Sequence, residues 1–229
     1  MSSDEGHEGH EGLNIVAIMG GTYSPIHNGH LRVAVEVADL FALNELKLVP
    51  CLQPVHKSMP IVSTLHRLEM LKLAIKSDKR LTIDDREIIR SKPSYSIDTL
   101  RELRSELGES VSIVMVIGMD SFLSLCSWKD WQELTLYAHV FVVSRPGWHP
   151  SFSDELNNYY EKYRASSIAE LQCAPSGRIW FEALAPLDIS SSMIRRLISS
   201  HRSIAYLVPD SVRNYIDENK LYLQENTTT

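Results

Sequence analysis

Three short, almost uninterrupted apolar runs constrain this chain more than any other feature: Leu13–Met19 (LNIVAIM), Ser112–Ile117 (SIVMVI) and His139–Val143 (HVFVV). Each is shorter than an ordinary helix and lacks polar alternation, which is the pattern of a strand covered on both faces. Between them the apolar spacing changes to three and four. Leu31–Leu43 is apolar at 31, 33, 34, 37, 38, 40 and 41, a helical stripe. Thr64–Ile75 follows Ser63, an expected N-cap. Ser96–Leu107 stops at Gly108, which suits the residue just past a helix end. Glu45–Cys51, Leu81–Asp84 and Ile179–Ala183 are further strand candidates. Phe152–Gln172, polar and rich in Tyr, reads as a helical insertion, and Ser191–Ser199 and Asp210–Asn219 read as closing helices. Strand and helix alternate throughout. That predicts an α/β, doubly wound, Rossmann-like parallel sheet with helices on both faces and a small C-terminal helical part.

Composition sets the limits. With 229 residues and no internal repeat or linker, residues 13–229 are expected to form a single domain. Met1–Gly12 has nothing to bury and is expected to be a disordered tail, with no signal peptide. No apolar run reaches the roughly 18 residues of a membrane span. Cys51, Cys126 and Cys173 are scattered, an odd count that suits reduced thiols in a cytoplasm. The formal charge is −6, and Asp4, Glu5, Glu8 and Glu11 of the tail carry most of it. A nearly neutral body argues against nucleic acid as a partner but leaves small anions open.

The sharpest motif is Gly20-Gly21-Thr22-Tyr23-Ser24-Pro25-Ile26-His27-Asn28-Gly29-His30. It joins the first strand to the first helix, where a doubly wound sheet binds ligands. The glycines let backbone approach a phosphate, and the helix start offers N–H groups and a positive dipole end. His27 and His30, three apart, can face one point and donate to phosphate oxygens. The chain holds a control: His7-Glu8-Gly9-His10 also reads HxGH, yet has neither strand before it nor helix after it. Two histidines alone fall short of a metal site, so the tail copy is read as tail and context selects the second. Downstream, Asp188-Ile189-Ser190-Ser191-Ser192-Met193-Ile194-Arg195 reads as an N-capped helix whose start offers hydroxyls, N–H groups and a forked guanidinium. Taken alone, it would be an ordinary capped surface helix.

Together these segments resemble the bacterial nicotinate-nucleotide adenylyltransferases of the HxGH nucleotidyltransferase superfamily. GGTYSPIHNGH is similar to the signature GGTFDPxHxGH, and DISSSMIR to ISxTxIR, in the same order. Gln53-Pro54-Val55-His56-Lys57, Ser94-Tyr95-Ser96-Ile97-Asp98-Thr99-Leu100, Ile117-Gly118-Met119-Asp120-Ser121, Ser127-Trp128-Lys129-Asp130-Trp131 and Arg145-Pro146-Gly147 also resemble family segments. Two positions depart: Ser24 stands where the family usually has Asp, and Ser192 where it has Thr.

The resemblance implies transfer of the adenylyl group of ATP to nicotinate mononucleotide in NAD biosynthesis, with Mg²⁺ accompanying ATP and no dedicated protein metal site. Of the implied residues, His27, His30 and Arg195 are catalytic. Gly20, Gly21, Thr22, Gly29, Gly118, Asp120, Arg145, Ser191 and Ser192 join them around ATP. His56, Lys57, Tyr95, Ser96 and Trp128 take the mononucleotide, with Trp128 against the pyridine ring. Ser96 has a plainer alternative as a helix cap, and Trp131, three residues before Leu134, is expected in the core. A homo-oligomer is left open. Rival readings are an amide-preferring or other small phosphate-monoester adenylyltransferase, such as a phosphopantetheine adenylyltransferase, and a non-catalytic nucleotide-binding regulator on the same fold. A class I aminoacyl-tRNA synthetase shares the HxGH type but needs tRNA-binding modules for which 229 residues leave no room.

Overall fold

A computed structural model of the chain describes residues 13–52, 62–144, 151–184 and 187–223; the tail at 1–12 lies outside them. Strand β1 (Ile15–Gly21) leads through helix α1 (Asn28–Leu40) to β2 (Leu46–Pro50), then α2 (Thr64–Ile75) and β3 (Leu81–Ile83). Helices α3 (Arg86–Ile89) and α4 (Ser96–Leu107) return the chain to β4 (Ser112–Gly118). Short helices α5 (Met119–Leu123) and α6 (Leu134–Tyr137) precede β5 (His139–Ser144). Then α7 (Asp154–Tyr163) and α8 (Glu170–Cys173) precede β6 (Ile179–Ala183), and α9 (Ser191–Ser199) and α10 (Asp210–Glu218) close the chain. All strand pairs are parallel, in the order β3-β2-β1-β4-β5-β6. This is the expected doubly wound, Rossmann-like sheet.

The apolar runs work as their composition requires. Along β4, Val114 and Val116 enter one core while Ile113 and Met115 enter the other; on β5, Phe141 and Val143 oppose Val140 and Val142 in the same way. Side chains alternate across a strand, so a sheet covered on both faces needs both parities apolar. One layer holds α1, α2, α9 and α10, with His66 Nδ1 and the Tyr215 hydroxyl 2.9 Å apart between α2 and α10. The opposite layer holds α4, α5, α6 and α7.

Several boundaries differ from the expectation, each for a local reason. β1 continues through Gly20 and Gly21, because their backbones still pair with Val49 and Pro50. α1 starts three residues before the apolar stripe, because the His27 side chain caps it. It ends at Leu40, where Phe41 caps it and Ala42 turns to φ 49°. β3 stops at Ile83, one residue short. The stretch 152–172 is helical as expected, in two pieces, since the chain leaves the helix at Arg164 and the Ala165 N–H bonds the Ile179 carbonyl at 2.9 Å. Gly108, at φ 80°, ends α4 as expected.

Arg104 holds the end of the sheet remote from the strands' carboxyl termini. From α4 its buried guanidinium donates to the carbonyls of Gly108, Val111, Tyr137 and Pro175 at 2.7–2.8 Å. Those carbonyls belong to the chain entering β4, β5 and β6. Arg104→Met should destabilise the fold by about 3 kcal/mol, because four buried carbonyls lose a charged donor at once; urea denaturation measures it.

Candidate active site

The strand order reverses between β1 and β4, whose crossovers leave to opposite faces and open a crevice at their carboxyl ends. Gly20 and Gly118 lie exposed at those two ends, and a Cβ at either would meet nothing within 4 Å. Asp120 is exposed in the first turn of α5, beside Gly118.

The Gly-rich loop is rigid because it folds onto itself. Tyr23, at φ 49° and buried, turns its ring back so that its hydroxyl donates to the Met19 carbonyl at 2.6 Å. A Cβ at Gly21 would come within 2.9 Å of that ring. His27 is the N-cap of α1: its Nδ1 accepts from the His30 N–H at 3.3 Å, which leaves the proton of a neutral ring on Nε2. The two imidazoles stack with centroids 3.6 Å apart, so the structure brings together the pair that the spacing suggested. Burial pushes the His27 pKa down to about 4, so the ring is a neutral donor at pH 7. A Cβ at Gly29 would sit 3.0 Å from His27 Nδ1, which is why glycine stands between the histidines. The helix start is less open than its position implies, since the Asn28 N–H already bonds the Leu207 carbonyl at 2.9 Å.

The start of α9 clasps this loop. Ser190 caps the helix, Ser191 Oγ donates to the Pro25 carbonyl at 2.9 Å, and Arg195 donates to the Ser24 carbonyl at 2.7 Å and to Ser192 Oγ at 3.1 Å. Residues about 170 positions apart thus meet at one edge. The Ser24 hydroxyl is buried 3.2 Å from that of Tyr222.

On the other flank, α4 begins with Tyr95 as its N-cap residue and Ser96 as its first helical residue. Ser96 therefore is not the cap. The Lys129 ammonium lies 4.8 Å from the Tyr95 ring centre and 3.4 Å from both Asp98 oxygens. Trp128, half-buried, precedes it. Trp131 is in the core against Tyr159, as expected. His56, Lys57 and Arg145 lie outside the described residues.

Sequence reasoning missed Arg67, Glu87, Ser94 and Tyr222. Arg67 is 1% exposed and its guanidinium reaches the carbonyls of Thr22 and Leu52 at 2.7 and 3.0 Å. A signal existed: Arg67 shares the inward stripe of α2 with Met70, Leu71 and Ala74, and a charge on an apolar stripe needs a buried partner. Glu87 is buried and accepts from Thr99 Oγ1 at 2.8 Å; burial pushes its carboxyl pKa up. No sequence pattern marks Tyr222.

A family model described as cytidylyltransferase-like matches residues 18–197. A protein of Marinomonas sp. (strain MWYL1) named "Probable nicotinate-nucleotide adenylyltransferase" is 61% identical over 207 residues, covering 90% of this chain and 94% of that one. Proteins of the same name from Hahella chejuensis and Pseudomonas syringae pv. tomato are 42% and 41% identical, covering 90% and 93% of this chain and 95% of each relative. This chain belongs to the nicotinate-nucleotide adenylyltransferase family. In fold it is similar to the Plasmodium falciparum nicotinic acid mononucleotide adenylyltransferase complexed with NaAD. That match has a TM-score of 0.71 at 19% identity and covers 93% of this chain and 98% of that one. Both family signatures fall on the clasp between the first loop and α9. No helix among the described residues is long and apolar enough to cross a membrane.

Two buried imidazoles give the fold a pH dependence. His139, fully buried, has Nε2 2.8 Å from the Ala174 carbonyl, and its Nδ1 accepts from the Arg178 N–H. Burial pushes its pKa, like that of His27, down to about 4. An unfolded histidine titrates near 6.5. The unfolded state therefore binds more protons between about pH 4 and 6.5, and stability falls as pH drops through that window. Each ring contributes up to about 1.4 kcal/mol per pH unit there. Urea denaturation at pH 7 and pH 5 should show the fall, and His139→Gln should reduce the difference by about 2 kcal/mol.

Proposed function

We infer that this chain transfers the adenylyl group of ATP to nicotinate mononucleotide, giving nicotinate adenine dinucleotide and pyrophosphate. The observation that carries the reading is the clasp itself. The stacked His27–His30 pair and the Ser191, Ser192 and Arg195 side chains gather at the carboxyl end of β1, where a doubly wound sheet takes a nucleotide.

The chemistry needs little covalent help from protein. The mononucleotide phosphate is already an anion at pH 7. One of its oxygens attacks the α-phosphorus of ATP as the bond from that phosphorus to the β-bridging oxygen breaks, and pyrophosphate leaves with the electron pair. Catalysis is then positioning plus stabilisation of charge on the phosphoryl oxygens. In this reading Gly20, Gly21, Thr22 and Gly29 let the ATP phosphates approach the loop. His27 and His30 donate to phosphoryl oxygens, and Ser191, Ser192 and Arg195 hold the departing pyrophosphate. Gly118, Asp120 and Arg145 complete the ATP side. His56 and Lys57 take the mononucleotide phosphate; Tyr95, Ser96 and Trp128 take the pyridine.

Among the described residues no three of His, Cys, Asp and Glu cluster to bind a metal. Mg²⁺ would accompany ATP, with Asp120 an acidic group exposed beside Gly118 at the crevice. The ion would neutralise charge on the phosphate oxygens. Three free cysteines fit a reducing cytoplasm, and residues 13–229 act as one domain behind the polar tail.

A pyrophosphate-release assay with ATP and a panel of mononucleotides tests the assignment. His30→Ala should lower kcat about a hundredfold or more, the effect of removing a preorganised donor, while the melting temperature holds. Normal turnover in that variant would remove His30 from the mechanism. The first N–H groups of α4 and its dipole favour an anion beside Tyr95 and Ser96, and donors facing a carboxamide NH₂ would stay unpaired. The acid should therefore be preferred over nicotinamide mononucleotide by about a hundredfold in kcat/KM. Equal rates would overturn this pyridine pocket and leave adenylyl transfer standing.

A further inference from the structure

Between the two substrate flanks lies a continuous polar chain that the reaction does not itself require. Arg67 donates from one nitrogen to the Thr22 carbonyl on the ATP loop, and from another to the Leu52 carbonyl at 3.0 Å and to Thr64 Oγ1 at 3.1 Å. The Leu52 N–H in turn donates to Ser94 Oγ at 3.0 Å. Ser94 directly precedes the N-cap residue of α4, and the buried Glu87 carboxylate accepts from Thr99 in the first turn of that helix. Leu52 is thus held by both of its peptide groups, from opposite directions. The Cys51 N–H binds the Gly21 carbonyl at 3.0 Å, so the end of β2 is fastened to the ATP loop twice. Arg67, Glu87 and Thr99 are all buried, so a broken link leaves a polar group without water to replace it.

We propose that Arg67 and Ser94 are positioning residues that couple the two substrate subsites through Leu52, so that ATP and the mononucleotide strengthen each other's binding. The proposal rests on the functional reading above. A ligand that settles the start of α4 fixes Ser94, hence Leu52, hence Arg67 and the Thr22 carbonyl; ATP settles the same chain from the other end. Coupling of this kind is reciprocal by thermodynamic necessity.

The test uses the full chain and titration calorimetry with α,β-methylene ATP, alone and with saturating nicotinate mononucleotide. In the wild type the mononucleotide should tighten the analogue about fivefold or more. Ser94→Ala should bind the analogue alone within about twofold of wild type, yet lose the tightening to under about twofold. Ser94→Thr, which keeps the hydroxyl, should restore it. Merely local support of the fold would move the melting temperature and leave the tightening intact. Full tightening in Ser94→Ala, or none in the wild type, overturns the proposal. Should Ser94→Ala fail to fold, Arg67→Lys decides by the same reading, since an ammonium keeps the charge but cannot fork across both carbonyls. Pyrophosphate release by the wild type is assayed in parallel. Its absence overturns the functional reading together with the coupling, whereas release with unchanged tightening in the variants overturns the coupling alone.

Discussion

The pairing of β1 with β4 is the contact on which the rest of this molecule depends. Val16 lies against Ile113 and Ile18 against Met115 in the middle of a six-stranded parallel sheet. The chain leaves β1 toward one face and β4 toward the other, so their carboxyl ends diverge and leave a crevice between two glycine-bearing turns. A parallel pair needs long crossovers; here the one after β1 carries His27 and His30, and α9, beyond the last strand, returns Ser191, Ser192 and Arg195 to the same edge. The site is therefore a consequence of topology before it is a consequence of any one residue.

Two buried arginines divide the work of holding the sheet's two ends. Arg104 spends its donors on four carbonyls at the end where strands enter. Arg67 does the corresponding task at the exits, where its carbonyls belong to the segments that follow β1 and β2. The chemistry of the two side chains is the same, and their consequences differ. Ties at the entry end set stability; ties at the exit end also set the distance between the loop after β1 and the start of α4. A planar fork with several donors suits both, since irregular backbone at strand ends presents carbonyls that no ladder satisfies.

The fold was legible because burial on both faces writes itself as uninterrupted apolar runs, and helices as a change of period. LNIVAIM, SIVMVI and HVFVV could hardly be anything else in such a chain. The turn into α1 was legible too, because His27, Gly29 and His30 meet through local spacing that a linear reading preserves. What stayed hidden acts across long separations. Nothing near Ser24 announces Tyr222, 198 residues away, and nothing in Ser94 announces that it accepts from the Leu52 amide. Boundaries failed where a contact, not a pattern, decided them: the His27 cap extended α1 backward, and the backbone bond of Ala165 to Ile179 interrupted the helical stretch 152–172. Arg67 and Arg104 lay between these cases, as charges on apolar stripes that demanded partners without naming them.

Ser24 shows how such hidden contacts bear on function. Its family usually places a carboxylate here, on the loop that Arg195 grips. In this chain Arg195 holds the backbone carbonyl of residue 24, not its side chain, so the grip survives the change of residue. The serine hydroxyl is instead turned to Tyr222, whose phenol feels both Arg67 and Arg195. Among the described residues neither arginine has a carboxylate within ion-pair distance. Both have carbonyl and hydroxyl oxygens instead, which orient a guanidinium without cancelling its charge. A carboxylate at position 24 would neutralise part of that field at the loop. With serine there, the Arg195 guanidinium keeps its charge uncancelled beside the loop that follows β1, at the edge where the two central strands diverge.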